Sequence, residues 1–196
     1  MPNPPRRSDR LEPGHRWSRV HRPQSELRCS RPSRPDRPGR HRIEVVFESD
    51  SIAWVDDSKA TNPHAAAASI LSNFSVIWIA GGLAKGAAMQ PLVDRTWSRM
   101  KAVILIGEDR GLIRDALAIT APELPIFEVD FPQGYVKGSE SNAFMEEIVG
   151  KAKALATEGD VVLLAPACAS MDQFLSYGDR GDRFTAAVEK VVRDGK

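Results

Sequence analysis

Beyond residue 40 the chain alternates short apolar runs with polar, glycine-bearing segments. Ile43 to Phe47 and Ile52 to Val55 read as strands joined by the turn Glu48-Ser49-Asp50-Ser51. Pro63 occupies the place of an N1 proline, and Ala65 to Leu71 follows as a helix. Ser75 to Ala80, Ala102 to Ile106 and Val161 to Ala165 are continuous apolar runs of the kind buried on both faces of a sheet. Pro125 to Val129 is a further strand. Helices are predicted over Pro91 to Met100, Asp109 to Leu117, Ser139 to Thr157 and Arg180 to Val192. Strands alternating with helices predict an α/β domain, a Rossmann-like, mostly parallel sheet flanked by helices.

In such sheets ligands gather beyond the carboxyl ends of the strands. That rule selects four loops: Asp56 to Asn62, Gly81 to Gly86, Gly107 to Asp109 and Pro166 to Ser170. Polar residues and glycines concentrate in these same loops. The richest is the run from Asp56 to Ala65, with two carboxylates, an ammonium, hydroxyls and an amide at a strand-to-helix junction. Free N–H groups and the helix dipole suit such a junction to an anion. An ordinary helix cap is the plain alternative.

Composition divides the chain. Residues 1–40 hold 11 Arg, no Lys, 4 acidic residues and 8 of the 14 Pro, for a net charge of +7. Residues 41–196 hold 16 basic and 22 acidic groups, for a net of −6. The first segment lacks hydrophobic periodicity, so residues 1–39 are expected to be disordered and residues 40–196 to form one domain. A Pro/Arg arm can cling to nucleic acid, but Trp17 is its only aromatic residue, so no nucleic-acid partner is expected. No apolar run approaches a membrane span, and there is no signal-peptide pattern. The two cysteines, Cys29 and Cys168, imply no disulfide framework, and a cytoplasmic location is expected.

The individual chemistries are limited. Gly81-Gly82-Leu83-Ala84-Lys85-Gly86 fails the P-loop test, because Lys85 precedes Gly86 and no hydroxyl follows; it also fails GxGxxG. What remains is a flexible turn presenting Lys85 to a carboxylate or phosphate oxygen, with a solvated lysine as the alternative. Cys168 is read as packing, since no histidine is placed to activate it. Ser170 can offer a hydroxyl to a carboxylate. Arg180 and Arg183 suit phosphate or a solvated helix face equally. No metal-ligand spacing is found.

Taken in order, His41-Arg42-Ile-Glu-Val-Val, Asp57-Ser-Lys-Ala-Thr-Asn62, Gly81-Gly82 with Lys85, and Leu164-Ala-Pro-Ala-Cys-Ala-Ser170-Met-Asp-Gln-Phe174 through Arg180-Gly181 resemble the C-terminal domain of the Mur ligases. The run Asp57 to Asn62 resembles their D-glutamate-adding branch. The resemblance covers roughly residues 39–194. It implies peptidoglycan precursor biosynthesis by an ATP- and Mg2+-dependent ligase. ATP phosphorylates the carboxylate of UDP-MurNAc-L-alanine, and the D-glutamate amine attacks the acyl phosphate. Carried over by position, Arg42 and Asp57 would contact ATP, with Lys59 near its phosphates. Thr61, Lys85 and Ser170, with the backbone around Met171 and Tyr177, would hold D-glutamate. No catalytic residue and no metal ligand is assigned within this domain.

The resemblance also implies two preceding domains, which bind the UDP sugar and carry the P-loop and magnesium ligands. Residues 1–40 resemble neither, and a shifted reading frame that resumes near Gly39 is expected. The chain is therefore expected to be a monomeric fragment without full activity. A stand-alone binding domain with a basic arm is the alternative.

Overall fold

The computed structural model describes residues 39–194. The expectations of a disordered arm and a shifted frame, with Cys29, lie outside the described residues. Six strands form one sheet: β1 (Glu44–Ser49), β2 (Ile52–Asp56), β3 (Val76–Gly81), β4 (Met100–Ile106), β5 (Ile126–Glu128) and β6 (Val161–Leu164). Their order is β1-β2-β6-β3-β4-β5. Only β1 runs antiparallel, as an exposed edge with a bulge between Val45 and Phe47. The other pairings are parallel, so the expected mostly parallel sheet is present.

Alternation along each strand feeds two cores. Val76, Trp78 and Ala80 of β3 face one side with Val103 and Leu105 of β4. There they pack against α1 (Pro63–Leu71), α2 (Gln90–Thr96) and α3 (Arg110–Thr120) through Ile70, Leu92, Val93 and Leu117. Ile77 and Ile79 face the other side with Ile104 and Ile106, against Phe144, Ile148 and Val149 of α4 (Ala143–Leu155) and Phe184 and Val188 of α5 (Tyr177–Val188). Each fully buried aliphatic or aromatic side chain contributes about 1.5–3 kcal/mol, so burial on both faces explains why the central strands are apolar throughout.

Several boundaries differ from the periodicity reading. The helix predicted to run to Met100 ends at Thr96, whose hydroxyl bonds back to the Leu92 carbonyl at 2.8 Å. A 3-10 turn follows over Trp97–Arg99, and Met100 opens β4. The helix predicted from Ser139 begins only at Ala143, though it remains the longest α-helix described. The last helix begins at Tyr177 rather than Arg180, because the Ser176 hydroxyl caps the Asp179 N–H at 3.0 Å. It gives way to a π turn over Glu189–Arg193.

The topology creates a switch. The chain leaves β2 and β3 toward α1 and α2 on one face, but leaves β6 toward α5 on the other. Because β6 lies between β2 and β3, its carboxyl end is flanked by a change of direction on both sides. Crevices open at such points.

Candidate functional site

Three loops meet at that end of the sheet. The loop after β2 starts from Asp56, whose Oδ1 accepts the Ser58 N–H at 2.8 Å. It ends at Asn62, whose Oδ1 accepts the Ala65 N–H at 3.0 Å and caps α1, with Pro63 in the first turn. The loop after β3 is zipped to the loop after β6. Leu83 N donates to the Ala169 carbonyl and Ala169 N to the Leu83 carbonyl, both at 2.9 Å. The turn expected to be flexible is thus pinned. Gly82 makes the approach possible: its φ is 128°, and a Cβ there would lie 2.1 Å from the Ala169 carbonyl oxygen. Lys85, two residues beyond the bridge, is held at a φ of 51°, a conformation non-glycine residues adopt sparingly and which concentrates at ligand sites.

The residues expected to hold the amino acid come from all three loops. Ser170 is buried, Thr61 is half-buried, and Lys85 is exposed. Among the described residues no hydrogen bond or ion pair engages the side-chain polar atoms of these three. Met171 and Tyr177 are exposed nearby in sequence, and the Tyr177 carbonyl accepts the Ser58 hydroxyl at 2.7 Å.

The residues expected on the nucleotide side share a cavity of about 270 Å³. Arg42, Asp57, Lys59 and Ala60 line it with Ser69 of α1. Asp57 is buried; its Oδ1 accepts the Ile43 N–H at 3.3 Å and its other oxygen accepts the Ser69 hydroxyl. Burial pushes the Asp57 carboxyl above the ordinary aspartate value, although hydrogen bonds from Ser69 and Ile43 oppose the shift. A carboxylate has about four acceptor positions, so capacity remains for a ligand hydroxyl. Lys59 is exposed, with Nζ 5.8 Å from the Tyr177 ring centre, and Arg42 is exposed at the rim. Another cavity, of about 450 Å³, opens at the amino ends of β4 and β5 beside Trp97, Pro122 and Pro125. It is mostly apolar and holds none of these residues.

Beneath the loops lies a buried polar network that the sequence reading missed. Arg180 is neither solvated nor presented to a ligand. It is fully buried, and its Nε donates to the Ser58 hydroxyl at 2.9 Å, while Nη2 donates to the Ser58 carbonyl at 2.9 Å. Both Nη atoms reach the Cys168 carbonyl at 3.3 Å. Arg183 is likewise engaged, with Asp179 and the carbonyls of Ser139 and Ser141. The pattern held a signal for Arg180: with Phe184, Ala187 and Val188 it falls at i, i+4, i+7 and i+8, the buried stripe of α5. His41, read only as charge at the domain's start, is buried 2.7 Å from Asp56 Oδ2. Asp56 lies on the same face of β2 as Trp54, so strand alternation pointed inward there too. His41, Glu44 and Asp56 form a group of metal-ligand type, but Glu44 accepts the His41 N–H and Asp56 is engaged by His41 and Ser58. Cys168 is buried as packing, its thiol pushed up to about 12 by burial.

The family model for the Mur ligase, glutamate ligase domain matches residues 41–168. The chain is 50% identical over 152 residues to the UDP-N-acetylmuramoylalanine–D-glutamate ligase of Streptomyces avermitilis, covering 78% of this chain and 31% of that protein. It is 46% identical over 174 residues to the ligase of the same name from Mycolicibacterium vanbaalenii, covering 79% and 36%. A crystal structure of UDP-N-acetylmuramate-alanine ligase from Thermotoga maritima aligns with a TM-score of 0.48 at 14% identity, over 80% of this chain and 30% of that one. The chain spans about a third of the length of the curated relatives it matches. It belongs to the Mur ligase family, through the glutamate ligase domain.

Proposed function

We propose that this domain is the amino-acid-receiving lid of an ATP-dependent ligase that adds D-glutamate to UDP-MurNAc-L-alanine in peptidoglycan precursor synthesis in the cytoplasm. The observation that carries the reading is that three loops joined by backbone hydrogen bonds each offer an uncommitted donor: the Thr61 and Ser170 hydroxyls and the Lys85 ammonium. A dicarboxylate needs several donors and a cation, and a hydrogen bond to a charged group contributes about 1.5–3 kcal/mol. The domain holds the D-glutamate amine for attack, which is catalysis by positioning.

Arg42, Asp57 and Lys59 fit the nucleotide side, since two cations and a carboxylate share one cavity. ATP supplies the phosphoryl group that activates the acceptor carboxylate. Lys59 is the residue for phosphate oxygens, Arg42 adds positive charge at the rim, and Asp57 accepts from a nucleotide hydroxyl. Magnesium is assigned no ligand in this domain. In this reading the acceptor substrate and the metal are met by parts of the ligase outside this chain, which acts as a monomer.

Amide NMR shifts test the assignment. D-glutamate is expected to move Thr61, Lys85, Ser170 and Met171, and L-glutamate to move them less. A nonhydrolysable ATP analogue is expected to move Arg42, Asp57 and Lys59. D-glutamate shifts elsewhere, or none, refute the substrate assignment. The isolated chain is expected to show negligible ATP-dependent ligation; turnover by a purified sample would show that the chain does not depend on further domains.

A further inference from the structure

Residues 129–142, between β5 and α4, have no regular structure yet are anchored along their length. At one end Arg110 of α3 pairs with Asp130. At the other Arg183 of α5 donates to the carbonyls of Ser139 at 2.7 Å and Ser141 at 3.0 Å. In the middle the Tyr135 hydroxyl donates to the Gln173 carbonyl at 3.0 Å. Gly138 lies against Leu175, where an added Cβ would come within 3.1 Å of a side-chain methyl. The segment is a strap fastened onto the loop that carries Ser170.

The strap delivers one cation. Lys137 Nζ donates to the Met171 carbonyl at 2.7 Å. An ammonium has three donors, so two remain. Lys101, Lys151 and Lys190 pair with Asp160, Glu147 and Glu146, but Lys137 is paired with no carboxylate among the described residues. Ser170 is thereby flanked on both sides. Ala169 is zipped to the loop of Lys85, and Met171 is held by Lys137. A dicarboxylate brings two negative charges, yet the residues assigned to it above include a single cation, Lys85.

We propose that Lys137 is a second cationic ligand for the amino-acid substrate, holding the carboxylate that Lys85 does not. The proposal rests on the reading of Thr61, Lys85 and Ser170 as the D-glutamate site.

The test is a titration of the chain and its variants with D-glutamate, followed at the Ser170 and Met171 amides. Lys137→Ala and Lys137→Gln are each expected to weaken binding about fivefold, with Lys137→Arg staying within about twofold of the parent, the scale of an exposed ion pair. The loss shrinks as salt is raised. Gln can still donate to the Met171 carbonyl, so full rescue by Lys137→Gln would mean that Lys137 only tethers the loop, and it would overturn the proposal. Unchanged affinity in Lys137→Ala, while the parent binds, would also overturn it and leave the D-glutamate site standing. Absence of any shift at Ser170 in the parent would instead refute the D-glutamate reading, and this proposal with it.

Discussion

A guanidinium with no exposed surface persists only where its donors are met, because an unpaired buried charge costs several kcal/mol. Arg180 meets that condition with one hydroxyl and two carbonyls drawn from the loops after β2 and β6. Burial lowers its pKa to about 10, leaving it charged at neutral pH, helped by the nearby carboxylate of Asp172. Arg180→Ala would leave a cavity and two unsatisfied carbonyls, and is expected to destabilise the domain by about 3 kcal/mol, read by chemical denaturation. Arg180→Lys keeps the charge but not the planar fork, and is expected to recover less than half of the loss. The same residue shows what the sequence disclosed and what it withheld. Its place on the apolar stripe of α5 was legible. Its partners were not, because Ser58 is 122 residues away and nothing in local spacing announces the contact. The placement of Thr61, Lys85 and Ser170 was legible for the opposite reason: loops at the carboxyl ends of apolar strands are selected by topology alone.

At the scale of elements, the central strands were found from their unbroken apolar runs, and errors gathered where helices begin and end. Residues 129–142 were partly read as helix because Phe144, Ile148 and Val149 carry a strong period, while nothing upstream marked where that period starts. Caps settle such ends. Asn62 holds α1 with one side-chain bond, so Asn62→Ala is expected to cost about 1 kcal/mol in thermal or chemical unfolding. Gly82 couples two elements. In Gly82→Ala the new methyl collides with the Ala169 carbonyl, so the paired bonds between Leu83 and Ala169 are expected to open. The signature is faster hydrogen exchange at the Leu83 and Ala169 amides, together with loss of the D-glutamate shifts at Ser170.

Across the whole molecule, buried carboxyls set opposing trends with pH. Asp56 and Asp57 are raised chiefly by burial, so the folded state holds their protons more tightly than the unfolded chain does. Their contribution is greatest below the ordinary aspartate pKa of about 3.9 and falls as pH rises through their folded values. Asp160 behaves inversely. Burial opposes its ionisation, but hydrogen bonds from Lys101, Ser75 and Thr157 outweigh it and lower the pKa. Its contribution is present above the ordinary value and is lost on acidification. Asp160→Asn is therefore expected to flatten the acid limb of stability against pH, whereas Asp57→Asn is expected to remove part of the decline on the rising side. Denaturation midpoints measured across pH 3–7, roughly the range in which carboxyls titrate, test both signs.

The position of β6 bears on how the molecule comes into being. Val161 to Leu164 arrives late in synthesis but belongs between β2 and β3. Until the ribosome has released it, Ile52–Asp56 and Val76–Gly81 lack their shared neighbour and present unpaired apolar edges. Pairing at such separation is slow, because loop closure must precede any gain from contact. A nascent chain stalled before Val161 is thus a sticky half-sheet, and growing chains of this domain are natural clients for chaperones.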